Sequence, residues 1–182
     1  MGQSGAGSRI QDTPEESKIN FSVKASVAPE GKFEKWDATL TFPSTDVTTA
    51  VMDIKIQADS VSTGSGMKGG KLKSKEFFNA KDDPYISFHS DKIVQTDPNT
   101  LDLPGTFTIR GISKPEKLTF TLVDKATARA TGEGEVKGTM AFDRKEFGMN
   151  SGIPFIKIAD RVEVTVNLKA KRTSGPPLDL KE

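Results

Sequence analysis

Cysteine is absent and histidine occurs once, as His89. The first absence removes disulfides, zinc–thiolate sites, thiol nucleophiles and thiol redox chemistry. The second removes paired-histidine metal sites and most histidine-based triads. What stays open to catalysis is carboxylate chemistry. No stretch approaches the roughly 18 apolar residues of a helical membrane span, so no integral membrane segment is expected. An excess of one charge is missing too: 26 Lys and Arg face 25 Asp and Glu, for a formal net charge of +1. No global field gathers nucleic acid, which is not expected as a partner. Hydrophobic residues are scarce at 34%, whereas charged residues, at 28% and balanced in sign, are ordinary rather than disorder-like. A folded core then requires that the apolar residues be placed economically.

A chain of 182 residues suggests one domain with tails. Residues 1–16 have no apolar signal-type stretch and are expected to be a flexible leader or tag scar; Ala6 stands where a myristoylation motif wants Ser or Thr. Ser174-Gly175-Pro176-Pro177 marks a loose tail, which places the domain at residues 17–172 and the tail at 173–182.

Within those limits apolar residues recur with period two, the pattern of half-buried strands. Ile19, Phe21 and Val23 alternate with polar neighbours, and Pro29-Glu30-Gly31 turns the chain into residues 33–42. Met52, Ile54 and Ile56 follow, then Ile86 and Phe88, then Leu101, Leu103, Phe107 and Ile109. Leu118, Phe120 and Leu122, then Val136, Met140 and Phe142, then Val162, Val164, Val166 and Leu168 complete eight segments. No helix-length segment separates successive strands, which disfavours a parallel sheet. The expected fold is all-β, an eight-stranded antiparallel barrel; a two-sheet sandwich shares its periodicity.

Two connections are long, residues 59–84 and 143–160, and connections of that length usually carry function. The first holds Gly64-Ser65-Gly66-Met67-Lys68-Gly69, a formal dinucleotide fingerprint, but the following Lys71 to Phe78 is too short and too charged for the helix the fingerprint needs. A flexible loop ahead of a short helix is expected instead. Lys68, Lys71, Lys73 and Lys75 either receive an anionic head group at that helix start or form a solvated face. Phe77-Phe78 either anchors the helix over an apolar opening or plugs the core.

Taken in order, Ser17-Lys18-Ile19-Asn20-Phe21, Gly31-Lys32-Phe33, Asp59-Ser60-Val61-Ser62-Thr63, residues 72–78, Pro84-Tyr85-Ile86-Ser87-Phe88-His89-Ser90, residues 105–115 and Asp143-Arg144-Lys145-Glu146-Phe147-Gly148-Met149 resemble the YceI-like family of lipocalin-like, polyisoprenoid-binding proteins. The resemblance implies a long isoprenoid chain held in an apolar tunnel, no catalytic activity, a periplasmic or otherwise extracytoplasmic location and, by analogy, a homodimer. The chain departs from the pattern at Gly69-Gly70, where relatives often carry an arginine–aspartate pair, and at Ala25, where many have a histidine.

An isoprenoid tail offers no hydrogen bonds, so a receptor can only surround it with apolar side chains. Burying ten methylenes is worth about 8 kcal/mol before ordering costs. The inward candidates are Met52, Ile54, Ile56, Phe88, Phe107, Ile109, Leu118, Phe120, Met140, Phe142, Val164 and Val166, joined by Phe77, Phe78 and Phe147 from the connections; a strand residue among them taken alone reads first as packed core, and only an unusually empty barrel turns the set into a site. Phe155, with Ile153 and Ile156, either closes the tunnel or packs under the second connection. Arg144 either pairs with a head group or bridges Asp143, Glu146 or Asp160. His89 falls on an outward phase. The expected function is a non-catalytic carrier of a polyisoprenoid, either isoprenoid quinone or isoprenoid phosphate, or of a similar long-chain amphiphile, with no cofactor and no metal. The alternatives are a stress-protective or interaction module with a packed barrel, and fatty acid or fatty amide binding. A carboxylate hydrolase would need two acids converging in a cleft, and the acids here mostly sit on outward phases or in turns.

Overall fold

The computed structural model describes residues 8–12, 17–25, 30–43, 46–63, 72–74, 77–124, 126, 130–149 and 158–174. They form the strands β1 (Ser8–Asp12), β2 (Lys18–Ala25), β3 (Glu30–Phe33), β4 (Trp36–Phe42), β5 (Val51–Gln57) and β6 (Val61–Ser62). After the first long connection come β7 (Tyr85–Ser90), β8 (Val94–Asp97), β9 (Thr100–Ile109), β10 (Ile112–Leu122), β11 (Glu133–Asp143) and β12 (Ile158–Ser174). Every pairing is antiparallel, and β1 bonds both β4 and β12, which closes the ring β1-β4-β5-β7-β9-β10-β11-β12. Closure rules out the open sandwich and leaves few edges to protect.

The ring has eight walls because three of them are broken strands. β2 continues β1 along β12, β3 continues β4 along β2, and β6 continues β5 along β3. Alternation places the walls' inner faces as expected: in β5, Met52, Ile54 and Ile56 are buried between exposed Asp53, Lys55 and Gln57. β1 lies inside the segment 1–16 set apart as a leader. Its few residues carry too short an alternation to read, and pairing on two sides holds them, Ile10 facing Leu40 and Arg172.

Two local features shape one end of the barrel. β9 and β10 are joined by Arg110 (φ 56°) and Gly111 (φ 73°), between the paired Ile109 and Ile112. Two positive φ values in a two-residue loop make a type I′ turn, whose twist matches the flanking strands. From that turn, β10 pairs β9 as far as Thr121 but meets β11 only over Thr119–Leu122. The upper halves of β10 and β11 therefore part, and the 3₁₀ turn Arg144–Phe147 at the top of β11 packs there, with Arg110 Nη1 donating to the Phe147 carbonyl at 3.1 Å.

The short helix expected after the third alternating segment is a single turn at Leu72 and Lys73 among the described residues. The chain then folds back, Phe78 N–H donating to Leu72 O at 2.8 Å and Ala80 N–H to Lys73 O at 2.9 Å. At the opposite end of the barrel the described side chains are deeply buried, with Phe42, Ile93 and Leu103 no more than 1% exposed. There a Cβ on Gly138 would stand 2.7 Å from the ring of Phe120, its cross-strand partner, so the glycine exists to seat that ring.

Candidate functional site

The barrel holds a cavity of about 70 Å³ at the end where both long connections arrive. Its strand-borne wall is Ile19, Phe21, Phe33, Ile56, Ile86, Phe107, Ile109, Phe142, Val162 and Val164. The remainder comes from connections: Leu72, Phe77 and Phe78 from the first, Arg144 and Met149 from the second. Two sets of aromatic rings frame it. Phe78 meets Phe21 edge-on at 5.8 Å and Phe33 at 5.6 Å, while Phe107 and Phe142, 5.0 Å apart, are backed by Phe147 at 5.4 Å from each. Tilted and edge-to-face packing of this kind suits the ring quadrupoles. Space survives between the sets partly because of Gly31, which faces Phe21 across β2 and β3. A Cβ there would lie 2.5 Å from Phe21 Cζ, so the ring rests on the glycine instead of standing in the lumen.

Of the residues expected on the tunnel wall, Ile56, Phe77, Phe78, Phe107, Ile109, Phe142 and Val164 line the cavity. Met52, Ile54, Phe88, Leu118, Phe120, Met140, Phe147 and Val166 are buried core away from it. Alternation tells inside from outside but not height along the barrel. The lining set also holds Ile19, Phe21, Phe33, Leu72, Ile86, Val162 and Met149, which were not among the expected binding residues. Leu72 and Met149 lie within the two long connections and Ile86 and Val162 two residues beyond them, which was the signal they carried; Ile19, Phe21 and Phe33 carried none beyond alternation. Lys68 and Lys71, the glycine fingerprint at 64–69, and Ile153, Phe155 and Ile156 lie outside the described residues.

Arg144 is 6% exposed although charged. Its Nη1 donates to Met149 O at 2.6 Å and its Nη2 stands 3.6 Å from Asp160 Oδ1, the third of the bridges foreseen for it. Lys145 Nζ reaches the same carboxylate oxygen at 3.4 Å. Asp143 serves a different purpose, accepting from Lys145 N–H at 2.9 Å to cap the turn. Glu116 and Glu146 come near enough to interact: burial first, and then the Glu146 charge, raise the Glu116 carboxyl above its ordinary 4.5. Neither lines the cavity. His89 is exposed, with Nδ1 2.5 Å from Asp53 Oδ1 across β5 and β7 on the outer face. Among the described residues no cluster of His, Asp and Glu could hold a metal ion, and no helix is long and apolar enough to cross a membrane.

The arrangement offers a wholly apolar enclosure, to which Arg144 adds no polar surface, with no nucleophile, base or metal site among its described lining residues. The model of the YceI-like domain matches residues 11–170. The chain belongs to the YceI-like family. Among its relatives in that family, it is 24% identical over 137 residues to a UPF0312 protein of Pseudomonas savastanoi pv. phaseolicola, covering 71% of this chain and 68% of the relative. A UPF0312 protein of Pectobacterium atrosepticum is 30% identical over 93 residues, 51% of this chain and 48% of its own length. The YceI-like barrel superposes on Burkholderia cenocepacia BcnA with a TM-score of 0.77 at 22% identity, over 88% of this chain and 99% of that one. It also matches a polyisoprenoid binding domain from Saccharophagus degradans, implicated in plant cell wall breakdown, with a TM-score of 0.66 at 15% identity, over 91% and 98% of the two chains. At these identities the structural likeness speaks for the fold.

Proposed function

We propose that this YceI-like protein is a non-catalytic binding protein that encloses the apolar chain of a polyisoprenoid or comparable long-chain amphiphile, and that it does so outside the cytoplasm, as the family resemblance implies. The observation that carries the proposal is the composition of the cavity wall. Two thirds of it is strand ladder, fixed by backbone bonds; the remainder, which includes Leu72, Phe77, Phe78 and Met149, belongs to connections that can shift without breaking a ladder. That matters because of size. At about 70 Å³ the cavity is roughly half that of an engineered void of ~150 Å³ that takes up benzene, and well below the ~300 Å³ at which ligand pockets begin. A chain enters only if those side chains yield, and apolar contact with the strand wall then compensates for the rings displaced. The polyisoprenoid-binding description of the Saccharophagus domain supports the ligand class.

The same small volume favours a second reading, a filled barrel acting as an interaction or stress-protective module. One experiment decides between them: mass spectrometry of an organic extract of natively purified protein, joined to titration with geranylgeraniol and with an isoprenoid quinone. Co-purified lipid or saturable uptake upholds the carrier. An empty extract with no uptake of either probe leaves the filled barrel.

A further inference from the structure

β10 and β11 are neighbours in the ring, yet they pair only where Thr119–Leu122 meets Val136–Thr139. Each is held by its other neighbour well beyond that point, β10 by β9 to Ile112 and β11 by β12 to Asp143. A seam without a ladder therefore runs up the cavity end of the barrel. The β9–β10 tip is free on its other side as well, since the ladder between β7 and β9 ends at Thr108.

The side chains of β10 change character along the seam. Leu118 and Phe120 are buried, but on the same face the next two positions are charged, Glu116 half-buried and Lys114 exposed. Pro115, which has no N–H to give a ladder, lies between them and is exposed, the place proline takes at a strand edge. What fills the seam is the Arg144–Phe147 turn. Phe147 is fully buried there, 5.4 Å from Phe107 of β9 and from Phe142 of β11, the two rings that stand between it and the cavity. The turn belongs to the β11 side: it continues that strand, and Lys145 Nζ reaches Asp160 of β12 at 3.4 Å. Across the seam, Arg110 Nη1 on the β9–β10 tip donates to the Phe147 carbonyl at 3.1 Å. Lifting the tip from the turn breaks side-chain contacts and no ladder. The first connection, by contrast, is laced by backbone bonds of its own, Phe78 N–H to Leu72 O at 2.8 Å, and Ala80 N–H to Lys73 O and Ala58 N–H to Pro84 O at 2.9 Å.

We propose that an apolar chain enters and leaves the cavity sideways, through this seam, when the β9–β10 tip parts from the Phe147 turn and the rings of Phe107 and Phe142 separate. This rests on the carrier reading above and adds the path to it; Phe77 and Phe78 then give way inside the barrel and do not open its mouth.

The test closes the seam covalently. Glu116 on β10 and Glu146 on the turn are near enough to interact, and the chain has no cysteine of its own. In the Glu116→Cys/Glu146→Cys double variant a short bis-maleimide bridges the two sides, and the same variant capped with N-ethylmaleimide on both thiols is the control. Uptake and release of geranylgeraniol are followed by stopped flow. The bridge should slow both about tenfold relative to the capped control and leave Kd unchanged, because a path affects rates and not the end states. Arg110→Asn, which removes the contact across the seam, should speed both several-fold. Equal rates in bridged and capped protein, or a weaker Kd without slower exchange, overturn the seam as the path while leaving the carrier intact. No saturable uptake by the parent removes the carrier reading and this one with it. If the bridge does not form, Arg110→Asn decides, and unchanged rates in that variant overturn the proposal.

Discussion

Gly31 and Gly138 occupy equivalent positions, each opposite a phenylalanine ring on the neighbouring strand, yet they lie at opposite ends of the barrel and should fail differently. At Gly138 a methyl would press on Phe120 away from the cavity, 2.7 Å from its ring and 3.3 Å from Val166. With Phe120 and Val166 both in the way, Gly138→Ala should cost about 1–3 kcal/mol, read from chemical denaturation. At Gly31 the displaced ring is that of Phe21, and it has the cavity to move into. Gly31→Ala should therefore cost less stability and more capacity, lowering geranylgeraniol uptake while the melting temperature changes little. Equal losses of stability at both positions would count against a difference between the two ends.

Glu116 supplies a second residue-scale prediction, with its sign set by burial. Its carboxyl is raised above 4.5, so the folded protein holds that proton more tightly than the unfolded chain does. Stability then falls as pH rises from about 4.5 through the folded value, and the deficit persists at neutral pH. Glu116→Gln removes a charge that burial and Glu146 both disfavour. The variant should melt above the parent at pH 7 and lose that advantage at pH 4. Glu146→Gln, which touches only the smaller of the two causes, should give the smaller gain.

At the scale of elements, the β9–β10 turn does two jobs at once. Arg110 holds a left-handed backbone that costs a non-glycine residue about 1 kcal/mol or more, and from that position its guanidinium reaches Phe147 O. Asparagine tolerates the same backbone and makes the favoured pair with Gly111, but is too short to reach the second connection. Arg110→Asn should keep the hairpin, change global stability by less than about 1 kcal/mol, and speed amide exchange at Gly148 and Met149, whose N–H groups bond Lys145 O and Arg144 O at 3.1 Å. Unchanged exchange there would mean that Arg110 does not hold the turn. The alternating segments were legible because a barrel asks each strand for little beyond one apolar face, and His89 and Asp53 duly lie outside. What period two does not encode is how strands are joined end to end: the breaks near Glu34 and Ala58 and the capture of β1 depend on partners far away in sequence. For the same reason Met52 and Ile56 look alike in sequence, yet only Ile56 reaches the cavity.

For the whole molecule, a fixed end and a yielding end predict how stability and binding trade against each other. Removing the Phe78 ring takes away a buried aromatic that closes the cavity against Phe21 and Phe33. Phe78→Ala should cost the unliganded protein about 3–5 kcal/mol, the usual range for such a truncation. A ligand that binds only the folded state returns stability by mass action, about 2.7 kcal/mol at a hundredfold excess over its Kd. In a carrier, the ring and the chain compete for the same space, so the variant admits the chain without first expelling Phe78. Geranylgeraniol should then raise the melting temperature of Phe78→Ala by more than it raises that of the parent, and slow amide exchange at Phe107, Ile109 and Val164 while leaving Leu103 and Phe120 unchanged. In a filled barrel the truncation would cost the same stability, but the lipid would restore none of it and exchange would be uniform with and without the probe.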